Sequence, residues 1–242
     1  DGMFVIDANN EYQHLIGLKV KKIGNTTPQK LMHDMEHFIS QDNTMGAKWI
    51  GPFFLRFRGL LEAYKLPKNS PDIELQFENK TGKMINEKIT FVPVPRQRGI
   101  PKLVAPKTNV PLYLSNVHTN FWLKDIPQKK TLYWQFNQVF GSDNESIYTF
   151  SKRFDSQLIA QKPRLLIVDV RHNNGGNGDL TPPLIAILKK YEKSQQGKIV
   201  VITGRNTFSA AQIFITRVDK ETNALFVGEP SSSSPNFVGE EN

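Results

Sequence analysis

The sequence predicts an α/β protein in two parts: a layered α/β core that follows a smaller α+β unit. Three observations predict this. The runs Leu165-Leu166-Ile167-Val168 and Ile199-Val200-Val201-Ile202 are apolar without alternation, as strands covered by helices on both faces tend to be. Along residues 111–242 such strands alternate with segments of helical spacing, the pattern of a layered α/β core. Residues 1–95 instead carry alternating strands and a hairpin, which suits a sheet with one buried face.

In the first unit, Leu18-Lys19-Val20-Lys21-Lys22-Ile23 alternates as a half-buried strand and ends at the turn signal Gly24-Asn25. Thr27 is placed to cap a helix that Pro28 opens, and Leu31, Met35 and Phe38 recur at helical spacing. Ile73 to Glu78 alternates, Asn79-Lys80-Thr81-Gly82 turns the chain, and Glu87 to Val92 returns as the second strand of a hairpin. Trp49, Phe53, Phe54 and Phe57 are expected to pack within this unit. His33 and His37 stand four apart on the helix, but Asp34 occupies the place where a zincin needs Glu, so they read as a wet helix face and not a metal site.

Residues 96–110 are predicted to be a Pro-rich basic linker. Five prolines in and around it (Pro93, Pro95, Pro101, Pro106, Pro111) deny the backbone ladder donors there. The second unit, 111–242, reads as strands near 111–117, 131–137, 165–170, 199–203 and 225–228, with helices near 145–160, 182–194 and 208–219.

Composition narrows the function classes. A hydrophobic share of 38% over 242 residues suits a globular chain, and no apolar run reaches the ~18 residues that a membrane span needs. With no cysteine, thiolate nucleophiles, thiolate metal sites and disulfides are all excluded. The net charge is +8, but the basic residues are scattered, and the densest stretch, Arg96 to Lys102, lacks the interleaved aromatics of a nucleic-acid groove. No nucleic-acid partner is expected. The start at Asp1-Gly2-Met3-Phe4-Val5-Ile6 reads as a strand entered partway, with the expectation that the chain is a piece of a longer precursor.

Two segments follow strand ends, where ligands bind in open α/β sheets. The first is Asp169-Val170-Arg171-His172-Asn173-Asn174-Gly175-Gly176. Paired glycines permit positive φ and close backbone approach, and their amides can converge on an anion. An ordinary strand-to-helix loop is the plainer reading. The second is Thr203-Gly204-Arg205-Asn206-Thr207-Phe208-Ser209-Ala210-Ala211-Gln212. A serine at a helix N-terminus can attack a carbonyl while the following amide, here Ala210, holds the oxyanion. Simple capping by Thr207 or Ser209 is the alternative.

Taken in order, Asp169-x-Arg171-x-Asn173-x-Gly175-Gly176, Thr207-x-Ser209-Ala210-Ala211-Gln212 and Gly228-Glu229-Pro230 resemble the tail-specific, or carboxy-terminal-processing, serine peptidases and the tricorn core protease. Leu132 to Asn137 fits a core strand of that family, and the resemblance covers residues 111–239. The first unit resembles the PDZ-like domain that these enzymes insert, without a carboxylate-binding loop of the Gly-Leu-Gly-Phe kind. The resemblance implies a crotonase-like core with an inserted PDZ-like domain. It implies Ser209 as nucleophile, an oxyanion hole from Ala210 and from Gly175 or Gly176, and Gln212 as a supporting residue. It also implies polypeptide substrates, no metal and no cofactor. The class and the lack of cysteine point to an extracytoplasmic or secreted protein.

One departure stands out. The processing peptidases place their lysine base 25 residues after the serine, and Ser234 stands there, within Ser231-Ser232-Ser233-Ser234. Lys220 lies 11 residues on in the same helix, ~16 Å along the axis and out of reach. The base is then a histidine upstream of the PDZ-like unit, as in the tricorn branch, or a local residue (Glu229 or His172, with His118 behind them). Otherwise the protein is an inactive relative that binds peptides or small ligands.

Overall fold

A computed structural model describes residues 2–64, 66, 68–92 and 110–234. The chain divides into two compact units, one of residues 1–40 and 50–106, the other of Gln41–Trp49 and Lys107–Asn242. The predicted linker, 96–110, lies outside the described residues except for Val110.

The first unit holds a four-stranded antiparallel sheet in the order β1 (Met3–Phe4), β2 (Lys19–Ile23), β3 (Asp72–Glu78), β4 (Met84–Thr90). The expected hairpin is β3–β4, with Glu78 opposite Met84. Asn79 accepts in its turn from the Thr81 and Lys83 amides at 2.9 Å each. Helix α1 (Pro28–Met35) starts as predicted, with Thr27 Oγ1 accepting from the Lys30 amide at 3.2 Å. Leu31 and Met35 enter a core with Leu15, Val20, Ile23, Leu61, Ile73 and Phe77. Phe38 does not follow them: the helix tightens into a 3₁₀ turn at Glu36–Phe38, which rotates the ring off the apolar stripe and leaves it 59% exposed. His33 and His37 are exposed, and no metal-binding cluster occurs among the described residues.

Two helices went unpredicted, α2 (Thr44–Phe54) and α3 (Arg58–Ala63). Gly46, Gly51 and Pro52 lie inside α2, and such residues lower helix propensity enough to hide a helix from a local reading. Of the aromatic residues expected to pack within the first unit, Phe54 does so against its core, and two need correction. Trp49 belongs to the second unit, its ring centroid 5.7 Å from that of Phe208, and Phe57 is 61% exposed.

The second unit is built on a five-stranded sheet in sequential order: β5 (Phe121–Ile126), β6 (Thr131–Phe136), β7 (Leu165–Asp169), β8 (Lys198–Thr203) and β9 (Leu225–Gly228). Strands β6 to β9 are parallel, and β5 is an antiparallel edge. Helices α4 (Ile147–Gln161), α5 (Pro182–Gln195) and α6 (Ala210–Glu221) form the crossovers. Two expectations need correction, and one strand went unpredicted. Residues 112–114 form a 3₁₀ turn where a strand near 111–117 was expected. Strand β5 was missed because Lys124-Asp125 interrupts its alternation. The three crossover helices do not divide between the two faces: Phe150, Phe154, Leu184, Leu188, Phe214 and Val218 all pack with Leu132, Trp134, Phe136, Leu166, Val168 and Val201 in one core. Crossovers of one hand between strands laid down in one direction put every helix on the same side. Leu165, Ile167, Val200 and Ile202, on the other face, remain half-buried.

Candidate active site

Two turns leave neighbouring parallel strands at the same end of the sheet. The first, after β7, is anchored by a buried carboxylate. Asp169 is fully buried and accepts from Arg171 Nε at 3.0 Å, Arg171 Nη2 at 2.6 Å and the Tyr133 hydroxyl at 2.6 Å. A buried charge persists only with such partners. Burial, and then the Asp169 charge, hold the Tyr133 hydroxyl protonated well above its ordinary range. The Arg171 guanidinium lies 4.1 Å from the centroid of the Tyr113 ring, beside which the His172 ring stacks.

Asn173 carries the turn itself. It is fully buried, and both its side chain and its backbone are engaged. Nδ2 donates to the Phe136 carbonyl at 3.0 Å, Oδ1 accepts from the Gly175 amide at 3.0 Å, the backbone amide donates to the Val170 carbonyl, and the carbonyl accepts from the Phe208 amide at 3.0 Å. One residue thereby joins β6, the glycine turn and the approach to Ser209. Gly175 and Gly176 have φ of +108° and +139°. A Cβ on Gly175 would stand 2.7 Å from Ser209 Cβ and 3.1 Å from the Ala210 nitrogen, so only glycine lets the turn lie against the serine.

The second turn, after β8, is locked by Thr207. Its hydroxyl donates to the Val170 carbonyl at 2.9 Å and accepts from the Gly204 amide at 3.1 Å. Ser209 then adopts φ +54°, ψ −126° immediately before α6. A non-glycine residue takes that conformation only at a cost of about 1–3 kcal/mol, so the surroundings must hold it in place. Such a turn from strand to helix presents the side chain outward, as a nucleophile elbow does. Ser209 is half-buried, and its hydroxyl makes no hydrogen bond among the described residues. The amides of Gly176 and Ala210 have no acceptor there either, whereas the Gly175 amide is taken by Asn173.

The remaining predicted residues are placed as follows. His172 Nε2 lies 2.9 Å from the Tyr113 carbonyl, and burial holds the imidazole below its ordinary pKa. Glu229 forms a two-pronged ion pair with Arg205, with Nε to Oε2 at 2.9 Å, and this hydrogen bonding lowers its pKa. Neither is hydrogen-bonded to Ser209, and His118 is exposed. Gln212 accepts from the Ser231 hydroxyl at 2.5 Å and donates to Thr216. Ser234 is held by Asp42, whose Oδ2 accepts from its amide at 3.1 Å. Sequence reasoning missed Asp42, and it missed Ser233, whose Oγ accepts from the Ser209 amide at 3.1 Å. The serine run was legible as a departure from the lysine pattern, but nothing local linked it to a residue 192 positions earlier.

The described residues contain no helix long and apolar enough to cross a membrane. No family model matches the sequence, and no curated protein matches it significantly. Among solved structures, the chain is similar to mature CPAF, both in one structure of it and in one complexed with lactacystin. The TM-scores are 0.56 and 0.55 at 10% identity, over 93% and 90% of this chain and 65% and 64% of those chains. The photosystem II D1 C-terminal processing protease gives a TM-score of 0.37 at 11% identity over 91% of this chain and 53% of that one, too low to bear on the fold. The chain thus spans less than two thirds of the length of the CPAF chains, and what it shares with them is a mixed α/β fold with two sheets.

Proposed function

We propose that the protein is a serine-type endopeptidase of the tail-specific kind, acting on unfolded or processed polypeptides. In this reading residues 111–242 are a crotonase-like catalytic core and residues 1–95 an inserted PDZ-like domain of the tricorn-like branch. The observation that carries it is the strained Ser209 set against a glycine turn, where among the described residues its hydroxyl has no partner and the amides of Gly176 and Ala210 have no acceptor. The likeness to the CPAF fold supports it.

Ser209 Oγ attacks the scissile carbonyl and passes its proton to a base. The Gly176 and Ala210 amides hold the oxyanion, and such donors act most strongly where they are already fixed in place. Collapse expels the amine and leaves an acyl-enzyme on Ser209, which water then hydrolyses. Gly175 serves by its lack of a side chain, not by its amide. The base comes from outside the described residues: Glu229 is neutralised by Arg205, and His172 is engaged by the Tyr113 carbonyl. A fluorophosphonate applied to the full-length protein is expected to label Ser209, and Ser209→Ala to abolish both labelling and cleavage of unfolded polypeptide, a loss of at least ~10⁴-fold.

A second reading, an inactive relative that binds peptides or small ligands, has one observation in its favour: position 234 carries a serine tied to Asp42 where a processing peptidase carries its base. Failure of intact protein to label or to cleave any unfolded substrate establishes that reading instead.

A further inference from the structure

The serine run after β9 makes more contacts with the elbow than a chain reversal needs. Ser231 donates its hydroxyl to Gln212 Oε1 at 2.5 Å, on the first turn of α6. Ser232 donates its amide to the Thr207 carbonyl at 3.1 Å. Ser233 Oγ accepts from the Ser209 amide at 3.1 Å. Ser232 and Ser233 are 1% and 4% exposed, so their bonds form out of water. Three consecutive residues thus grip the elbow just before it, at it and just after it.

The run is itself held from far away in sequence. Asn43 Nδ2 donates to the Ser231 carbonyl at 3.1 Å. Asp42 Oδ2 accepts from the Ser234 amide at 3.1 Å, and the Asp42 carbonyl accepts from the Ser234 hydroxyl at 3.3 Å. Asp42 and Asn43 belong to Gln41–Trp49, the short early segment of the second unit. Trp49 of the same segment packs on Phe208, the residue before the serine.

Ser209 cannot rest at φ +54° without support. Its amide is one of the donors that a helix start leaves unpaired. If Ser233 did not accept it, the peptide could rotate to find water, and the strain would relax. The Ala210 amide would then lose its aim.

Building on the peptidase reading above, we propose that Ser233 is a positioning residue that holds the nucleophile elbow in its strained form, and that Asp42 locks it in place by fixing the end of the serine run. The segment in which the processing peptidases carry their base here serves as a brace. Ser233→Thr keeps the hydroxyl and Ser233→Ala removes it. Asp42→Asn keeps a side-chain acceptor for the Ser234 amide, and Asp42→Ala does not.

The test uses full-length protein and two readouts. In amide hydrogen exchange, the Ser209 N–H is protected in the parent and in Ser209→Ala, but exchanges at least about tenfold faster in Ser233→Ala, with protection restored in Ser233→Thr. In kinetics, Ser233→Ala lowers kcat and the fluorophosphonate labelling rate about 100-fold, the low end for a lost oxyanion donor, and leaves KM within about twofold. Asp42→Ala does the same more weakly, and Asp42→Asn tracks the parent. Unchanged exchange at Ser209 in Ser233→Ala overturns the brace whatever the activity. Faster exchange with kcat intact overturns the positioning role. If the parent neither labels nor cleaves, the peptidase reading fails, and the exchange measurement still decides whether Ser233 holds the elbow.

Discussion

The turn after β7 and the turn after β8 solve one problem in two ways. Each leaves a parallel strand, reverses sharply and places a backbone amide at the sheet's carboxyl end. The first does so with Gly175 and Gly176, which reach positive φ without steric cost. The second does so with Ser209, at a cost of about 1–3 kcal/mol for the same sign of φ. In both, one amide is tied back to a side chain (Gly175 to Asn173, Ser209 to Ser233) and the next amide is left without an acceptor among the described residues. The difference teaches where a side chain is needed. A turn that supplies only an amide can be glycine, whereas one that must also present a hydroxyl has to hold a residue that resists the conformation.

The pairing of the two turns is most sensitive at Gly175. Gly175→Ala brings a methyl to 2.7 Å from Ser209 Cβ at φ +108°. It is expected to cut fluorophosphonate labelling at least ~100-fold and to destabilise the protein by about 2–4 kcal/mol, measured by labelling kinetics and chemical denaturation. Asn173→Ala comes next. It strands the Phe136 carbonyl and the Gly175 amide in a buried site, at about 2–4 kcal/mol. A fall in labelling beyond the unfolded fraction would show that Asn173 also sets the register of the two turns.

The smallest effect is in pH. Burial holds the His172 imidazole below its ordinary pKa, which is ~6.5 in the unfolded chain. Between the two values the unfolded state binds more protons, so stability rises with pH there. This contribution is complete above ~6.5 and is lost as pH falls toward the folded pKa. Urea titrations of the parent should lose stability across that window, and His172→Gln should flatten the slope. A slope that survives the substitution assigns it to another group.

Much of the second unit was legible because its signals are local. Unbroken apolar runs marked β7 and β8, and helical spacing near 182–194 marked α5. Strand β9 was legible from Leu225-Phe226-Val227 closing at Gly228. The first unit was legible for the same reason, in the cap at Thr27 and the hairpin turn at Asn79. Strand β5 and helix α2 were not. Strand β5 owes its structure to pairing along β6, and Gly46, Gly51 and Pro52 argue locally against the helix that α2 forms.

By itself the sequence determined the order of most strands and helices, the two turns that leave β7 and β8, and Ser209 at the head of α6. Periodicity, glycine pairs and capping residues act over a few positions and can be read there. Only the tertiary structure decided that all three crossover helices share one face, that the Gly175 amide is occupied while those of Gly176 and Ala210 have no acceptor among the described residues, and that Ser233 and Asp42 bond to the elbow and to the serine run. Those outcomes depend on contacts between residues far apart in the chain, whose pairing is set by the geometry of the folded backbone and not by any local pattern.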